Sequence, residues 1–351
     1  MNRPSPIVLA IDAMGGDHGP GVTIAGLAAF HARQSVAHRY VVCGDLPGME
    51  AALAAYPALK AHCTLQHTDV HVSMDEKPAT ALRKRGSGMA MTIDAVKSGA
   101  AHAAVSAGNT GALMAISKLA LRMMPGVDRP ALVASWPNPY GMGAVLDMGA
   151  NVECSASQLV EFAIMGEAFH RAVHGTAKPR VGLLNIGSEE MKGVDSVREA
   201  AQMIRDQALD MNFIGFVEGD GISMGHADVI VTDGYTGNIA LKTAEGTAKL
   251  ISHFMKAAFT AGPLARLGAL AALPVLKKLK ERLDPSTVNG AVFLGLNGTV
   301  VKSHGGTNAK GFAAAISVAS QMAQSDFAAE VARNLARVSA CDPAKNPEVS
   351  A

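Results

Sequence analysis

Nine short apolar runs recur along this chain: IVLAID, RYVVCGD, AAVSAG, ALVASW, GAVLDMG, RVGLLNIG, NFIGFVEG, DVIVTDG and AVFLGL. Amphipathic stretches such as GMAMTIDAVKSG and ASQLVEFAIMGEAFHRAVHG lie between most of them. Short apolar runs bounded by turn residues read as strands with both faces covered, and their alternation with helical patterns predicts an α/β architecture around a largely parallel sheet. Ligands in such sheets sit beyond the carboxyl ends of the strands, and the glycine-rich turns of this chain fall there.

The first of those turns follows Asp12 in IVLAIDAMGGDHGPGVT. Gly15, Gly16, Gly19 and Pro20 force a turn before the helix-like GVTIAGLAAF, leaving unpaired N–H groups that attract anions. A tight strand-to-helix connection without a ligand has the same spacing. A related signature recurs in SAGNTGALM from Ser106, TDGYTGNIAL from Thr232 and SHGGTNAKGF from Ser303. Each serves as a helix N-cap and also exposes N–H and hydroxyl donors. Together with the opening turn, the three predict an anion site built from several helix ends.

Composition removes other classes. Thirty-one basic against thirty acidic residues leave a net charge of +1, without the global field that nucleic-acid binding uses, and an aromatic share of 4% disfavours base stacking. Cys43, Cys63, Cys154 and Cys341 form no C-x-x-C pair, and no cysteine and histidine spacing suits zinc, so no metal site and a reducing cytoplasm are expected. The start MNRPSPIVLAID lacks a signal-peptide pattern, and no run reaches the ~20 apolar residues of a membrane span. P-loop, hydrolase-elbow, zincin and nicotinamide-binding glycine motifs are missing.

Lys192 follows the run RVGLLNIG, where it suits a phosphate or a developing oxyanion, or equally a surface ion pair with Glu189 or Glu190. Asp233, Thr236, Asn238 and Lys242 surround the next glycine junction; Asn238 can donate to a polarised carbonyl or cap the helix. Lys302, Ser303 and His304 end the strand TVVK, with His304 an acid or base or merely a satisfied turn residue. Lys77, Arg83, Lys84 and Arg85 read as a solvated face or as a docking patch for an acidic partner. Residues 262–286 are leucine-rich and then basic, and Pro274 is expected to kink or split that helix. Such a segment suits an oligomer interface, core packing or an anionic bilayer surface.

The ordered set IDAMGGDHGP, EKPATALR, SAGNTGAL, LDMGANV, LLNIGSEEMKG, VTDGYTGNIALKTAEG and GLNGTVVKSHGG resembles the phosphate acyltransferases of bacterial phospholipid synthesis, from about Ile7 to about residue 325. The resemblance implies that inorganic phosphate attacks the thioester of a long-chain acyl-acyl carrier protein, reversibly giving acyl phosphate and free carrier. A phosphotransacetylase-like reaction on acyl-coenzyme A is the alternative. It also implies a Rossmann-like multilayer fold similar to isocitrate and isopropylmalate dehydrogenases, a homodimer, no cofactor, and a cytoplasmic enzyme in peripheral contact with the membrane, passing product to a membrane-bound glycerol-3-phosphate acyltransferase. The expected organisation is one catalytic domain or a pair of lobes over residues 1–335, with 262–286 as an amphipathic tip and 336–351 as a tail. Lys192 and Asn238 are the expected phosphate and oxyanion ligands, with Asp12, Asp233 and His304 as nearby orienting or proton-handling groups. Asp12, Gly15, Gly16, Asn109, Thr110, Gly111, Lys242, Lys302 and Ser303 are expected to shape the phosphate pocket. Two positions depart from the family pattern: Gly88 lacks a hydroxyl found there in relatives, and Ser188 stands where an acidic residue is frequent.

Overall fold

The computed structural model describes residues 6–207, 209–282 and 288–341. Its centre is an eleven-stranded sheet in the order β3 (Cys63–His67), β2 (His38–Gly44), β1 (Ile7–Asp12), β4 (Ala103–Ser106), β11 (Thr299–Lys302), β10 (Ala291–Leu294), β5 (Ala131–Asn138), β6 (Gly141–Leu146), β9 (Val229–Val231), β7 (Arg180–Leu184) and β8 (Asn212–Val217). All nine apolar runs contain strands. The tenth, TVVK, is β11, while β3 carries the polar sequence CTLQH at the sheet edge and lacks the apolar signal of the others.

Pairing is parallel within the block β3-β2-β1-β4-β11 and within the block β6-β9-β7-β8. Three antiparallel pairings, β11 with β10, β10 with β5 and β5 with β6, join the blocks. The registers therefore make the two blocks run in opposite senses along the ladder. Their carboxyl ends, where parallel sheets keep their ligand turns, lie at opposite ends of it.

Helices cover both faces. One face carries α1 (Gly19–His31), α2 (Leu46–Leu53), α7 (Ala156–His174), α8 (Asp195–Asp206), α12 (Ala309–Gln324) and α13 (Phe327–Cys341). The other carries α5 (Gly88–Lys97), α6 (Thr110–Leu121) and the short α4 (Pro78–Ala81) and α9 (Gly219–Met224), with the first turn of α10 (Gly234–Thr260) against β6. A further short turn, α3 (Pro57–Lys60), precedes β3. Alternate strand residues feed two cores, as the period-2 side-chain geometry requires. Val105, Val292 and Val301 join Ile24, Phe162 and Phe312 on the first face; Ala104, Phe293 and Val300 join Met89, Ile93 and Leu113 on the second.

α11 (Pro263–Arg282) continues through Pro274, so the expected split of this segment does not occur. Its surroundings explain why: Leu270 and Leu273 are exposed, so water can satisfy the carbonyl that proline leaves without a donor. The break instead falls between α10 and α11, which are bent by 119°. No single helix among the described residues is long and apolar enough to cross a membrane. Only Gly234 and Gly237 of α10 are buried, and Phe254, Leu264, Leu267 and Leu270 of the projecting pair are 62–86% exposed. Residues 283–286 of the expected tip, and the tail from 342, lie outside the described residues. α13 runs across position 336 and buries Phe327, Val331 and Leu335.

Candidate active site

At one end of the ladder β1, β4 and β11 finish side by side. Asp12, the last residue of β1, is 1% exposed and accepts from the Ser106 hydroxyl at 2.6 Å and from Met14 N–H at 3.1 Å. Burial raises its pKa, against the pull of those hydrogen bonds and of Lys302. The turns after the strands are pressed together so closely that a Cβ on Gly15 would lie 2.7 Å from the Gly108 nitrogen, and one on Gly16 2.7 Å from the Gly305 carbonyl. Gly16 also has φ of +87°, a conformation glycine adopts without strain. Gly88 begins α5 against Asp12, its Cβ position 3.2 Å from Oδ1, so a side chain at this position would face the carboxyl.

Four helices, α1, α5, α6 and α12, begin at this end, and their first N–H groups and dipoles favour an anion. Asn109 caps α6 by accepting from Ala112 N–H at 2.9 Å, and its amide nitrogen donates to the carbonyls of Met74 at 2.6 Å and Glu76 at 3.2 Å. Its side chain thus anchors the loop before α4, while exposed Thr110 and half-buried Gly111 begin α6. Lys302 is 8% exposed and donates to the carbonyls of Ala107, at 3.3 Å, and Ser303. Burial lowers its pKa to about 8, opposed by the charges of Asp12 and Asp17. Ser303 is fully buried, and exposed His304 accepts from Gly306 N–H through Nδ1 at 3.2 Å.

Asn289, which the sequence reading did not single out, holds this last turn. Its amide nitrogen donates to Ser303 Oγ at 2.7 Å, Thr307 Oγ1 at 3.2 Å and the Gly311 carbonyl at 2.8 Å. Its Oδ1 accepts from His304 N–H at 2.9 Å. The Asn-Gly pair before β10 was a turn signal, but the partners fourteen to twenty-two residues away had none.

A second polar group forms at the other end of the ladder, beyond β6, β9 and β7. Asp147, also missed although it sits inside LDMGANV, is fully buried. It accepts from the N–H groups of Leu132, Gly149, Ala150 and Asn151 and from the Asn151 amide, at 2.7–3.1 Å. Burial raises its pKa despite these donors. The start of α10 is seated on this turn: Gly234 N–H donates to the Asn151 carbonyl at 2.7 Å, and a Cβ on Gly237 would coincide with the Asp147 carbonyl. Asp233 caps α10, accepting from Thr236 N–H and Oγ1 at 2.8 Å. Asn238 is therefore not the cap; it is exposed beside Gly149. Lys192 pairs with Glu189 at 3.0 Å and Lys242 with Glu245 at 2.9 Å, both lysines being more than half exposed. Gly193, with φ of +92°, lets the Asn185 side chain close over the backbone and donate to the Lys192 carbonyl at 3.0 Å.

The site residues expected from sequence thus gather in two places. Asp12, Gly15, Gly16, Asn109, Thr110, Gly111, Lys302, Ser303 and His304 share one end of the ladder; Lys192, Asp233, Asn238 and Lys242 share the other. β9 lies four strand positions from β11, about 19 Å at the usual strand spacing. Exposed apolar side chains surround the second group: Val152 at 71%, Ile186 at 78%, Met191 at 84%, Val194 at 64% and Tyr235 at 62%. Of the basic cluster, Lys77, Arg83 and Arg85 are exposed near the Asn109-anchored loop, and Lys84 pairs with Glu76 at 2.7 Å.

A family described as fatty acid synthesis protein matches residues 7–330. The chain is 57% identical over 336 residues to the phosphate acyltransferase of Caulobacter vibrioides, covering 95% of this chain and 93% of that one. It is 54% identical over 332 residues to the phosphate acyltransferase of Maricaulis maris, covering 93% and 94%. Among solved structures, a phosphotransacetylase from Streptococcus pyogenes superposes with a TM-score of 0.61 at 15% identity, covering 91% of this chain and 94% of that one. The EutD phosphotransacetylase from Staphylococcus aureus gives 0.58 at 15% identity with the same coverage. These structural likenesses bear out the multilayer α/β fold with its mostly parallel sheet.

Proposed function

The chain belongs to the phosphate acyltransferase family, an acyltransferase of lipid synthesis, and on that premise we propose how its two polar groups divide the reaction. The donor is a long-chain acyl-acyl carrier protein and the acceptor inorganic phosphate. A phosphate oxygen attacks the thioester carbonyl; the C–O bond forms, the C–S bond breaks, and the carrier thiolate leaves and takes a proton. Phosphate is already an anion and a thiolate leaves readily, so the demands are positioning and oxyanion stabilisation.

The observation that carries this reading is the meeting of four helix N-termini with buried Lys302. Phosphate binds there, between Gly15 and Gly16, the Asn109–Gly111 turn and Ser303, with Asp12 orienting Lys302 and His304 handling the proton. Lys192 and Asn238 steady the tetrahedral oxyanion, with Asp233 and Lys242 beside them. The enzyme is a homodimer in which a second copy brings the Lys192 and Asn238 end of its ladder to the Lys302 end of the first. The separation of the two groups within one chain, at opposite ends of the strands and four strand positions apart, and the exposed apolar rim around Lys192 support that arrangement. The catalytic α/β body runs from β1 through α13. The α10–α11 pair rests on the cytoplasmic membrane surface, where product passes to a membrane-bound glycerol-3-phosphate acyltransferase.

Incubation with palmitoyl-acyl carrier protein and phosphate is expected to release free carrier only when phosphate is present; phosphate-independent release, or none, overturns the reading. Faster turnover of palmitoyl-coenzyme A in the same assay would reassign the donor.

A further inference from the structure

A groove of about 330 Å³ runs along α12 on the face opposite α5 and α6, within the size range of small-ligand clefts. Its floor is the helical stripe Lys310, Ala313, Ala314, Ser317, Val318 and Gln321, spaced as one face of a helix. From Lys310 to Gln321 that stripe is about 16 Å long at the α-helical rise.

The two ends differ. Asn289 closes the head, and the same side chain holds Ser303, His304 and Gly311, so the groove starts one residue from the phosphate pocket. At the foot Phe30 packs edge-on against His38, which bonds Ser320, and this places Arg33, three residues after Phe30, by the end of the stripe. Arg33 is exposed and makes no ion pair among the described residues. The lining mixes alanine, valine and phenylalanine with serine and glutamine and contains no acidic residue.

We propose that this groove holds the phosphopantetheine arm of the acyl donor, with its phosphate at Arg33 and its thioester at the Asn289 head beside Ser303 and His304. The inference rests on the reading that the donor is a carrier-protein thioester. An extended arm has thirteen bonds from phosphorus to sulfur, about 15 Å at the per-bond reach of an extended chain, which matches the stripe. Its two amides and geminal methyl groups need a lining that is half polar and half apolar. An acid-free lining with a guanidinium at the far end suits a phosphodiester better than an all-carbon acyl chain.

The test titrates 4′-phosphopantetheine into wild type, Arg33→Glu and Ala314→Trp by calorimetry, with Ala314→Ser as the folding control. Wild type and Ala314→Ser are expected to bind saturably, Ala314→Trp not at all, and Arg33→Glu at least about tenfold more weakly, the loss of one charge-assisted contact. In turnover, Arg33→Glu should raise KM for palmitoyl-acyl carrier protein by a similar factor while leaving KM for phosphate unchanged. It should leave KM for palmitoyl-N-acetylcysteamine, which lacks the phosphate, unchanged as well. No binding to wild type, or equal effects of Arg33→Glu on both thioesters, overturns the groove. Failure of the donor reading shows separately, as no phosphate-dependent release by wild type; phosphopantetheine binding then still decides whether the groove is a site.

Discussion

The hydroxyl of Ser106 donates to Asp12 Oδ2 over 2.6 Å and so ties the end of β4 to the end of β1. Both residues are 1% exposed, so the carboxylate depends on that donor and on Met14 N–H in place of water. Ser106→Ala is expected to destabilise the fold by about 1–3 kcal/mol, the usual cost of stranding a buried polar group. Urea denaturation measures it, and an unchanged midpoint would show that the bond is dispensable.

The low pKa of Lys302 has two consequences. Its folded-state value of about 8 lies below the ordinary 10.5, so its stabilising contribution is present above 10.5 and is lost as pH falls through 8. Phosphate offsets that penalty only where the ammonium is charged, and should therefore raise Tm more at pH 7 than at pH 9.5. kcat/KM for phosphate should fall along an alkaline limb near 8, and Lys302→Arg, charged throughout, should lose that limb. A limb that persists in the arginine variant assigns it to another group.

Gly237 and Gly246 both lie within α10, yet their surroundings predict opposite outcomes. A Cβ at 237 would strike the Asp147 carbonyl, whereas nothing lies within 4 Å of one at 246. Gly237→Ala should destabilise by about 1–3 kcal/mol through overpacking, and Gly246→Ala should stabilise by about 0.5–1 kcal/mol through helix propensity. Thermal melts of the two variants compare them directly; equal shifts would mean that α10 does not press on the Asp147 turn.

The shared site proposed for the dimer predicts complementation. Lys192→Ala and Lys302→Ala should each lose more than about 10²-fold in turnover, the cost of an oxyanion or positioning donor. Mixed after dissociation and reassociation, they should recover roughly a quarter of wild-type activity, because half the dimers are mixed and each mixed dimer holds one intact site. No recovery, with mixed dimers demonstrated, would place both lysines in a site within one chain.

The exposed leucines of α11 predict a membrane phenotype. Leu267→Glu with Leu270→Glu should abolish flotation with anionic vesicles while leaving turnover of soluble donor intact. Unchanged flotation would move the tip to another role.

Some of this was fixed by local chemistry. The alternation of apolar runs and amphipathic stretches set the α/β layers, because burial on both faces leaves a readable pattern within a handful of residues. Capping by Asn109 was legible for the same reason, since an N-cap acts on an N–H only three positions away, whereas the cap of α10 is Asp233 and not the expected Asn238. The ordered motifs carried the family, and Lys302, Ser303 and Asp12 do come together as their glycine turns implied. Asn289 was not legible, because asparagine in turns is common and what distinguishes this one is partners supplied by distant segments; Asp147 takes most of its donors from its own turn, and what did not show was its burial and the reach to Leu132 N–H. Strand sense was likewise invisible. Three antiparallel pairings in the middle of the sheet reverse one block against the other, and a strand's sequence reads the same in either pairing. The sequence by itself therefore determined the layers, the family and the polar residues at the glycine turns, because side-chain type and local spacing are written in it. Only the tertiary structure decided that those residues stand in two groups at opposite ends of one ladder, because that depends on the order and direction in which strands hydrogen-bond.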